Sequence, residues 1–420
     1  MLKLALRGVS RYKKRTLITA FAIAIAIVFS IFMKSLLTGV AYDSDKNLIW
    51  NDTSSSKIYA PGYFEEKDYL PIDFLIDKDQ SLALESLLEE NNFNDYTKEF
   101  ISSAQIIFYE DPFPSSGSLT TILKAIDSSH SNAYNYNNAT IEGQWISPNV
   151  DGVVLGAKLA EDIRGEIGYY LTVQTKGKGG FIQAFDIPII GIISTGDPVV
   201  DSSTMFFDLN TIDSYLELEG SATSYALSYS MNIATVKSVT DEKTKALKSL
   251  IAPLNLEAYS WKEVAADILL LQSSKSGFSN IFLFFTFFIA IVGISNTMLM
   301  AINERKNEIA MLKALGYNNR FIKQLFTLEG TIIGLIGVIV GSIFGTLISL
   351  YYQIKGIDFS ALIDNSDSIG YRINSIMYAF VTPSQIVLIG ILGLVVSMMA
   401  AYFAVRRTGR GEIAEMFRRI

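Results

Sequence analysis

Residues 278–302 read FSNIFLFFTFFIAIVGISNTMLMAI, without one charged side chain, and the next four residues are Asn303, Glu304, Arg305 and Lys306. A helix needs about 20 consecutive apolar residues to cross a bilayer, and this run has them, bounded by charge. Three more stretches meet the same criterion: residues 16–37, 325–350 and 383–405. The first follows a basic N-terminus and contains Ala22, Ala24 and Ala26. Those alanines lie inside the apolar run and the run is long, so it reads as a retained helix and not a cleaved signal. Charged residues make up 18% of the chain, against about 25% in an ordinary soluble domain.

Basic residues set the expected orientation. Lys3, Arg7, Arg11, Lys13, Lys14 and Arg15 precede the first apolar run; Arg305, Lys306, Lys313, Arg320 and Lys323 separate the second from the third; Arg406, Arg407, Arg410, Arg418 and Arg419 follow the fourth. Such clusters stay in the cytoplasm. Four spans with both termini inside follow: a basic amphipathic segment at 1–15, a first span at 16–37, an outer domain with stalk helices at 38–277, and a second span at 278–302. A cytoplasmic helix at 303–324, a third span at 325–350, a short outer loop at 351–382, a fourth span at 383–405 and a cytoplasmic tail at 406–420 complete the plan. The large outer segment carries 34 acidic and 16 basic residues, the opposite bias from the inner segments.

The outer domain reads as mixed α and β. Residues 57–60 (KIYA) form a strand pattern, 81–90 (SLALESLLEE) have helical spacing, and 104–109 are again strand-like. Late in the domain the order recurs: a strand at 224–236, a helix at 241–250 and a strand at 256–259. Two β-α-β units flanking an insertion predict a split ferredoxin-like lobe. The insertion, residues 111–215, predicts a second, mostly β lobe with strands at 153–155, 170–174 and 185–193. The glycine-rich stretch at 176–180 (KGKGG) joins the last two as a hairpin turn; no helix start follows it, so it is no phosphate cradle. Residues 261–277 are amphipathic, with Val264, Ile268 and Leu271 on one face, and run straight into the second span. Residues 34–50 extend the first span in the same way. Two stalks then connect the outer domain to the bilayer.

The stretch after the second span, residues 305–316 (RKNEIAMLKALG), carries the strongest functional signal. Ile309, Met311, Leu312 and Leu315 form an apolar side, Glu304, Arg305, Lys306, Glu308 and Lys313 decorate the rest, and Gly316 stops the helix. Such a helix either docks in a groove of a cytoplasmic partner or rests on lipid headgroups. In the third span, Gly337, Gly341 and Gly345 have GxxxG spacing, with Gly330 and Gly334 before them, and predict close approach to a neighbouring helix, that of a partner chain included. Glu329, near the cytoplasmic end, is placed to pair with Lys323 or a partner, or to reach the interface.

Several chemistries are excluded. The chain has no cysteine, hence no disulfide and no thiolate. There is no G-x-x-x-x-G-K-[ST] loop for ATP and no metal-ligand spacing. The single histidine, His130, sits in a polar run and reads as solvated. No catalytic, cofactor-binding or metal residue is expected. Few charges lie within the spans, which argues against an ion channel or proton pump.

With these residues in view, the chain resembles the permease subunits of mechanotransmission-type bacterial ABC transporters: the MacB-type efflux, FtsX-type cell-division and Lol-type lipoprotein-releasing permeases. Residues 4–27 (LALRGVSRYKKRTLITAFAIAIAI) are similar to the family opening, and residues 296–316 (NTMLMAINERKNEIAMLKALG) to its signature of second helix and cytoplasmic helix. Residues 141–159 (IEGQWISPNVDGVVLGAKL) and 187–193 (IPIIGII) resemble the MacB-like periplasmic core domain. Residues 57–63 (KIYAPGY) look most like the Lol branch. Three features depart from the pattern. Gly168-Tyr169 stands where the family has Gly-Asp. Residues 411–418 (GEIAEMFR) lack the usual proline. Residues 175–181 are short where chaperone-recruiting Lol permeases carry a long hook.

The resemblance implies a subunit of the bacterial cytoplasmic membrane that is not itself an enzyme, dimeric with a second copy or a paralogue. ATP and Mg would be bound by two separate cytoplasmic ATPase subunits, contacted through the helix of Glu304, Arg305, Glu308, Ile309, Met311, Leu312, Lys313 and Gly316. It implies membrane lipids, a lipoprotein or other periplasmic substrate and a periplasmic chaperone as partners, and no nucleic acid. Lipoprotein release is the first functional expectation. MacB-like efflux, FtsX-like regulation of cell-wall hydrolases, and a membrane sensor without an ATPase are the alternatives.

Overall fold

The structure is a computed structural model that describes residues 1–136, 139–148, 150–359 and 376–408. Helices α1 (Leu2–Arg11) and α2 (Lys13–Leu48) open the chain, and a π-helical turn (Ile49–Thr53) leads into β1 (Ser56–Tyr59). Then come α3 (Lys78–Glu90), β2 (Tyr96–Phe108), β3 (Gly117–Ile126), β4 (Thr140–Gly143), β5 (Val153–Gly156), α4 (Ala157–Ile163), β6 (Tyr170–Lys176) and β7 (Ile182–Ser194). Next are α5 (Pro198–Ser203), β8 (Thr204–Asp208), α6 (Leu209–Leu216), β9 (Ser224–Leu227), α7 (Ile233–Ile251), β10 (Glu257–Ser260) and α8 (Trp261–Val264). The long helices α9 (Ala266–Glu304), α11 (Asn319–Lys355) and α12 (Pro383–Thr408), with the short α10 (Lys306–Ala314), follow. The chain divides into two compact units, one of residues 1–42 and the described residues from 271 onward, the other of Asp43–Leu270.

In the first unit α2, α9, α11 and α12 are each long and apolar enough to cross a membrane. Their shared core gathers Ile23, Ile27 and Ile31 from α2, Ile294 and Met298 from α9, Ile333 and Val338 from α11, and Ala400, Ala401 and Ala404 from α12. Phe284, Phe285, Phe288 and Ile289 point outward. That apolar exterior suits a helix whose backbone bonds are all internal and whose surroundings are hydrocarbon.

The glycines of α11 divide between two neighbours in the same chain. A Cβ built on Gly337 would meet Ala20 O at 2.7 Å, one on Gly341 would meet Ala24 O at 2.7 Å, and one on Gly345 would meet Val28 Cα at 3.1 Å. The partner numbers rise together, so α2 and α11 run parallel, as a first and a third span must. Gly330 abuts Ala401, Gly334 abuts Ser397, and Gly393 abuts Val338; these numbers fall as the others rise, so α12 runs antiparallel. The ladder thus approaches a neighbouring helix closely, as its spacing predicts. That neighbour is α2, which presents Ala20, Ala24 and Val28 at the same four-residue step.

The second unit is built on a ten-stranded mixed sheet in the order β10-β1-β9-β2-β3-β8-β5-β7-β4, with β6 bridging β2 and β7. The first four of these are the strands of the two expected β-α-β units, and all their pairings are antiparallel. β2 was expected only at 104–109. It is a 13-residue strand whose first part pairs with β9 and whose later part pairs with β3 and β6. One core packs around Ile58, Leu84, Tyr225 and Leu247, and another around Phe100, Leu123, Val173 and Phe207. The predicted hairpin is present, with Lys176 opposite Ile182.

The strand expected at 224–236 is corrected. β9 stops at Leu227, and Ile233 opens α7. Asn232 decides this: its side chain accepts from the backbone N–H groups of Ala234 and Thr235, an N-cap. The β-branched Ile233 and Val236 that suggested a strand are buried along the helix. α2 continues past residue 37 to Leu48, whereas the helix expected from residue 261 is interrupted at Ala265, between α8 and α9. Parts of the expected outer loop (360–375) and tail (409–420), with Arg410, Arg418 and Arg419, lie outside the described residues.

Candidate functional site

Between α9 and α10 the helical backbone breaks at one residue. Arg305 has φ −103° and ψ 21°, and its side chain fills the corner that the break creates. Its Nε donates to Glu308 Oε2 at 2.7 Å and its Nη1 donates to Glu329 Oε2 at 2.8 Å. The guanidinium also lies over the rings of Phe326 and Tyr12, 5.0 and 5.5 Å from their centroids. One arginine therefore ties the start of α10, the body of α11 and the residue linking α1 to α2.

Burial grades this junction. The Glu329 side chain is 3% exposed and that of Arg305 12%, whereas Glu308 is 33% exposed. From the other side Arg11 Nη1 donates to Glu308 Oε1 at 2.9 Å, with the Arg11 side chain 70% exposed, and Tyr12 OH donates to the same oxygen at 3.4 Å. Burial works to raise the Glu308 carboxyl, but hydrogen bonding and charge from Arg305, then Arg11, hold it below its ordinary value. Burial likewise opposes the Arg305 charge, and its two carboxylate partners hold it above its ordinary value. Helix α1 closes the junction through Gly8: a Cβ there would sit 2.9 Å from Glu329 Oε2.

The expected partners of Glu329 were Lys323, a partner subunit or the interface; the structure pairs it with Arg305. The expected apolar side of α10 also divides. Ile309 is buried with Ile302, Ile322, Phe326 and Val405, whereas Met311 and Leu315 are exposed and stand one helical turn apart. Leu312 and Lys313 are half-buried, and Glu304 is exposed. Gly316 ends the segment at φ 90°, a conformation that glycine adopts without a Cβ penalty. Asn318 then caps α11, its side chain accepting from Phe321 N at 2.8 Å. Sequence reasoning missed Arg305 as the hub and Gly8 as a contact; the available signal was a glycine inside an otherwise regular amphipathic helix.

The second unit holds a separate charged cluster where the chain enters and leaves it. β1 and β10 are neighbours with Ser56 opposite Ser260, and Trp261 N donates to Ser55 O at 3.1 Å. Nearby, Glu99 on β2 is fully buried, paired with Lys57 Nζ at 2.6 Å and Lys124 Nζ at 3.9 Å. It accepts from Tyr134 OH at 2.5 Å and Ser224 Oγ at 2.6 Å. Lys124 Nζ and Tyr136 OH donate to Asn51 O, and Tyr134 OH donates to Asp52 O, which fastens the turn after α2 to the sheet. Burial pushes the Glu99 carboxyl up, but Lys57 and Lys124 outweigh it and hold it below the usual range. Burial also opposes the Lys57 charge, yet Glu99 and Asp52 keep it above its ordinary value. Among the described residues no group of three or more His, Cys, Asp or Glu side chains is placed to hold a metal ion.

The site therefore combines an apolar four-helix unit and a charged helix break, with a mixed-sheet domain inserted in sequence between the first two long helices. Residues 280–413 match the family described as FtsX-like permease C-terminal. An uncharacterized ABC transporter permease of Methanocaldococcus jannaschii is 34% identical over 118 residues, 27% of this chain and 29% of that protein. The lipoprotein-releasing system transmembrane protein LolE of Haemophilus influenzae is 24% identical over 284 residues, 63% of this chain and 64% of LolE. The chain thus spans less than two thirds of either relative. The periplasmic region of MacB from Actinobacillus actinomycetemcomitans is a loose structural likeness, at TM-score 0.33 and 15% identity over 51% of this chain and 92% of that one. The last third of the chain is thus similar to FtsX-like permeases, and a longer stretch is similar to LolE.

Proposed function

We propose that this chain is the membrane subunit of an ATP-driven machine in the cytoplasmic membrane of a bacterium, with both termini inside and Asp43–Leu270 outside. It works as a dimer, with a second copy or a paralogue, on two cytoplasmic ATPase subunits that bind ATP and Mg; the chain itself carries no catalytic step. Closure of the ATPases pushes α10. Arg305 passes that push to α11 through Glu329, and α2 and α9 carry it to the outer domain. There, two lobes sharing β2 move against each other and release a lipoprotein from the membrane. The similarity to LolE supports this cargo. The short β6–β7 turn supports release without a chaperone docked on that hairpin, and it equally suits efflux of the MacB kind or regulation of a cell-wall hydrolase.

The observation that carries the reading is the division of α10. Its inner side is fixed by Ile309 and Arg305, and its outer side presents Met311 and Leu315 to a partner. Large apolar anchors of this kind dominate helix-in-groove docking. Met311→Ala with Leu315→Ala should abolish copurification of the cognate ATPase and its stimulated hydrolysis, while the permease still inserts and purifies. Intact ATPase binding by that double variant would refute α10 as the docking element.

A further inference from the structure

We propose that α1 is a docking surface for the anionic phospholipid headgroups of its own leaflet, and that its occupancy sets the position of α10 through the Arg11–Glu308 ion pair. The proposal rests on the reading of α10 as the coupling helix and adds a lipid input to it.

Two sides of α1 are accounted for differently. Ala5 and Gly8 are buried, Gly8 against the Glu329 carboxylate. Leu2, Leu4 and Leu6 are left exposed. Lys3, Arg7 and Arg11 follow one another at four-residue steps, so they form a single stripe along the helix, and Lys3, Arg7 and Arg11 are all exposed. Residues 1–42 contain no acid. Only Tyr12 separates α1 from α2, whose apolar run begins at Thr16. At 1.5 Å per helical residue, α1 stays within a few turns of the hydrocarbon boundary. A helix with leucines beside a cationic stripe at that depth has the composition of an interfacial anchor, and its charge complements phosphate-bearing headgroups.

Arg11 gives the anchor a second role. It is the residue of the stripe that also reaches α10, at 2.9 Å from Glu308. That pair lies in the open, where an ion pair is weak and is displaced by competing charge. A phosphate bound along Lys3, Arg7 and Arg11 competes with Glu308 for Arg11, and Glu308 keeps its bonds to Arg305 and Tyr12. The membrane's anionic lipid content is thereby read at the helix that meets the ATPase.

The test uses the full chain in nanodiscs of phosphatidylcholine alone or mixed with phosphatidylglycerol, with no ATPase present. The chain has no cysteine, so Leu6→Cys or Leu315→Cys carries a single nitroxide. Phosphatidylglycerol should immobilise the label at 6 and alter the spectrum at 315. Each basic residue near an anionic surface contributes about fivefold to binding. Lys3→Gln with Arg7→Gln should therefore lower the preference for spin-labelled phosphatidylglycerol by about that factor per charge and abolish both responses, with helical circular dichroism unchanged. Glu308→Gln should keep the response at 6 and lose the one at 315. Equal spectra in the two lipids, or an unchanged preference in the Lys3/Arg7 variant, would overturn the lipid site. A surviving response at 315 in Glu308→Gln would overturn the link. Neither result depends on whether α10 binds an ATPase, so the lipid input and the coupling role fail separately.

Discussion

Replacing Gly341 by alanine adds a single methyl group at the closest approach of α2 and α11. That methyl would stand 2.7 Å from Ala24 O, 2.7 Å from Ile27 Cβ and 3.0 Å from Ala24 Cα. Two of these three atoms are backbone, so no rotamer change relieves the contact and the helices must separate. Overpacking of this kind costs about 1–3 kcal/mol. Alanine also gains up to about 1 kcal/mol over glycine from helix propensity, which would mask part of the loss in a single measurement. Gly293→Ala is the control: it lies on the apolar helix α9, and a Cβ there meets nothing within 4 Å. The propensity gain cancels between the two variants. Gly341→Ala should then be less stable than Gly293→Ala by about 1–3 kcal/mol, with Gly345→Ala nearer the control because its closest contact is 3.1 Å. Equilibrium unfolding in mixed dodecylmaltoside–SDS micelles, followed by far-ultraviolet circular dichroism on monomeric protein, measures the difference. Equal stabilities would refute close packing within the chain. A loss seen only when protein concentration permits dimers would return the ladder to a partner.

Acidification should loosen the outer domain before it affects the membrane helices. The folded Glu99 carboxyl titrates below its unfolded value, so its contribution is present above that value, about 4.3, and is lost as the pH falls through the lower folded one. The three tryptophans, Trp50, Trp145 and Trp261, all lie in that unit, so their fluorescence reports on it alone; Glu99→Leu, which removes the carboxylate that Lys57 and Lys124 share, should cost about 3–5 kcal/mol at neutral pH, and a fluorescence transition independent of residue 99 would dismiss the cluster. Topology is tested with single cysteines at two exposed positions, Glu90 and Arg320: in spheroplasts an impermeant maleimide should label the first and not the second, and the opposite pattern would invert the orientation.

The membrane helices were readable because hydrocarbon imposes one demand, apolarity over a fixed length, that a sequence displays directly. Strand order at the two ends of the outer domain was readable for a related reason: each β-α-β unit is local. β2 was harder. Its first part contains Lys98, Glu99, Ser102 and Ser103, polar residues that argue against a buried strand until Lys57 from β1 and Lys124 from β3 are placed beside Glu99. The strand misread at 224–236 failed at a single residue, Asn232, whose cap outweighed the β-propensity of its neighbours. The pairing of Arg305 with Glu329 spans 24 positions across a helix break, and no spacing rule reaches it. Periodicity gave α10 one apolar face, but it could not say which part of that face would be covered.

The energies at the junction differ enough to order its motions. Arg305–Glu329 is desolvated on both sides, and losing one partner of such a pair costs about 3–5 kcal/mol. Arg11–Glu308 is exposed, where a pair contributes about 0.2–1 kcal/mol. A force on α10 therefore breaks the contact with α1 first and carries α11 along through Arg305. The break at Arg305 makes α10 an arm, and the buried half of its ion-pair network makes that arm stiff toward α11. The same ordering explains why Gly8 has no side chain: any Cβ would press on Glu329 and spend the strong bond to accommodate the weak one. The proposed push through α10 requires a compliant contact on one side and a rigid contact on the other, and the exposure of Arg11 against the burial of Glu329 supports that proposal.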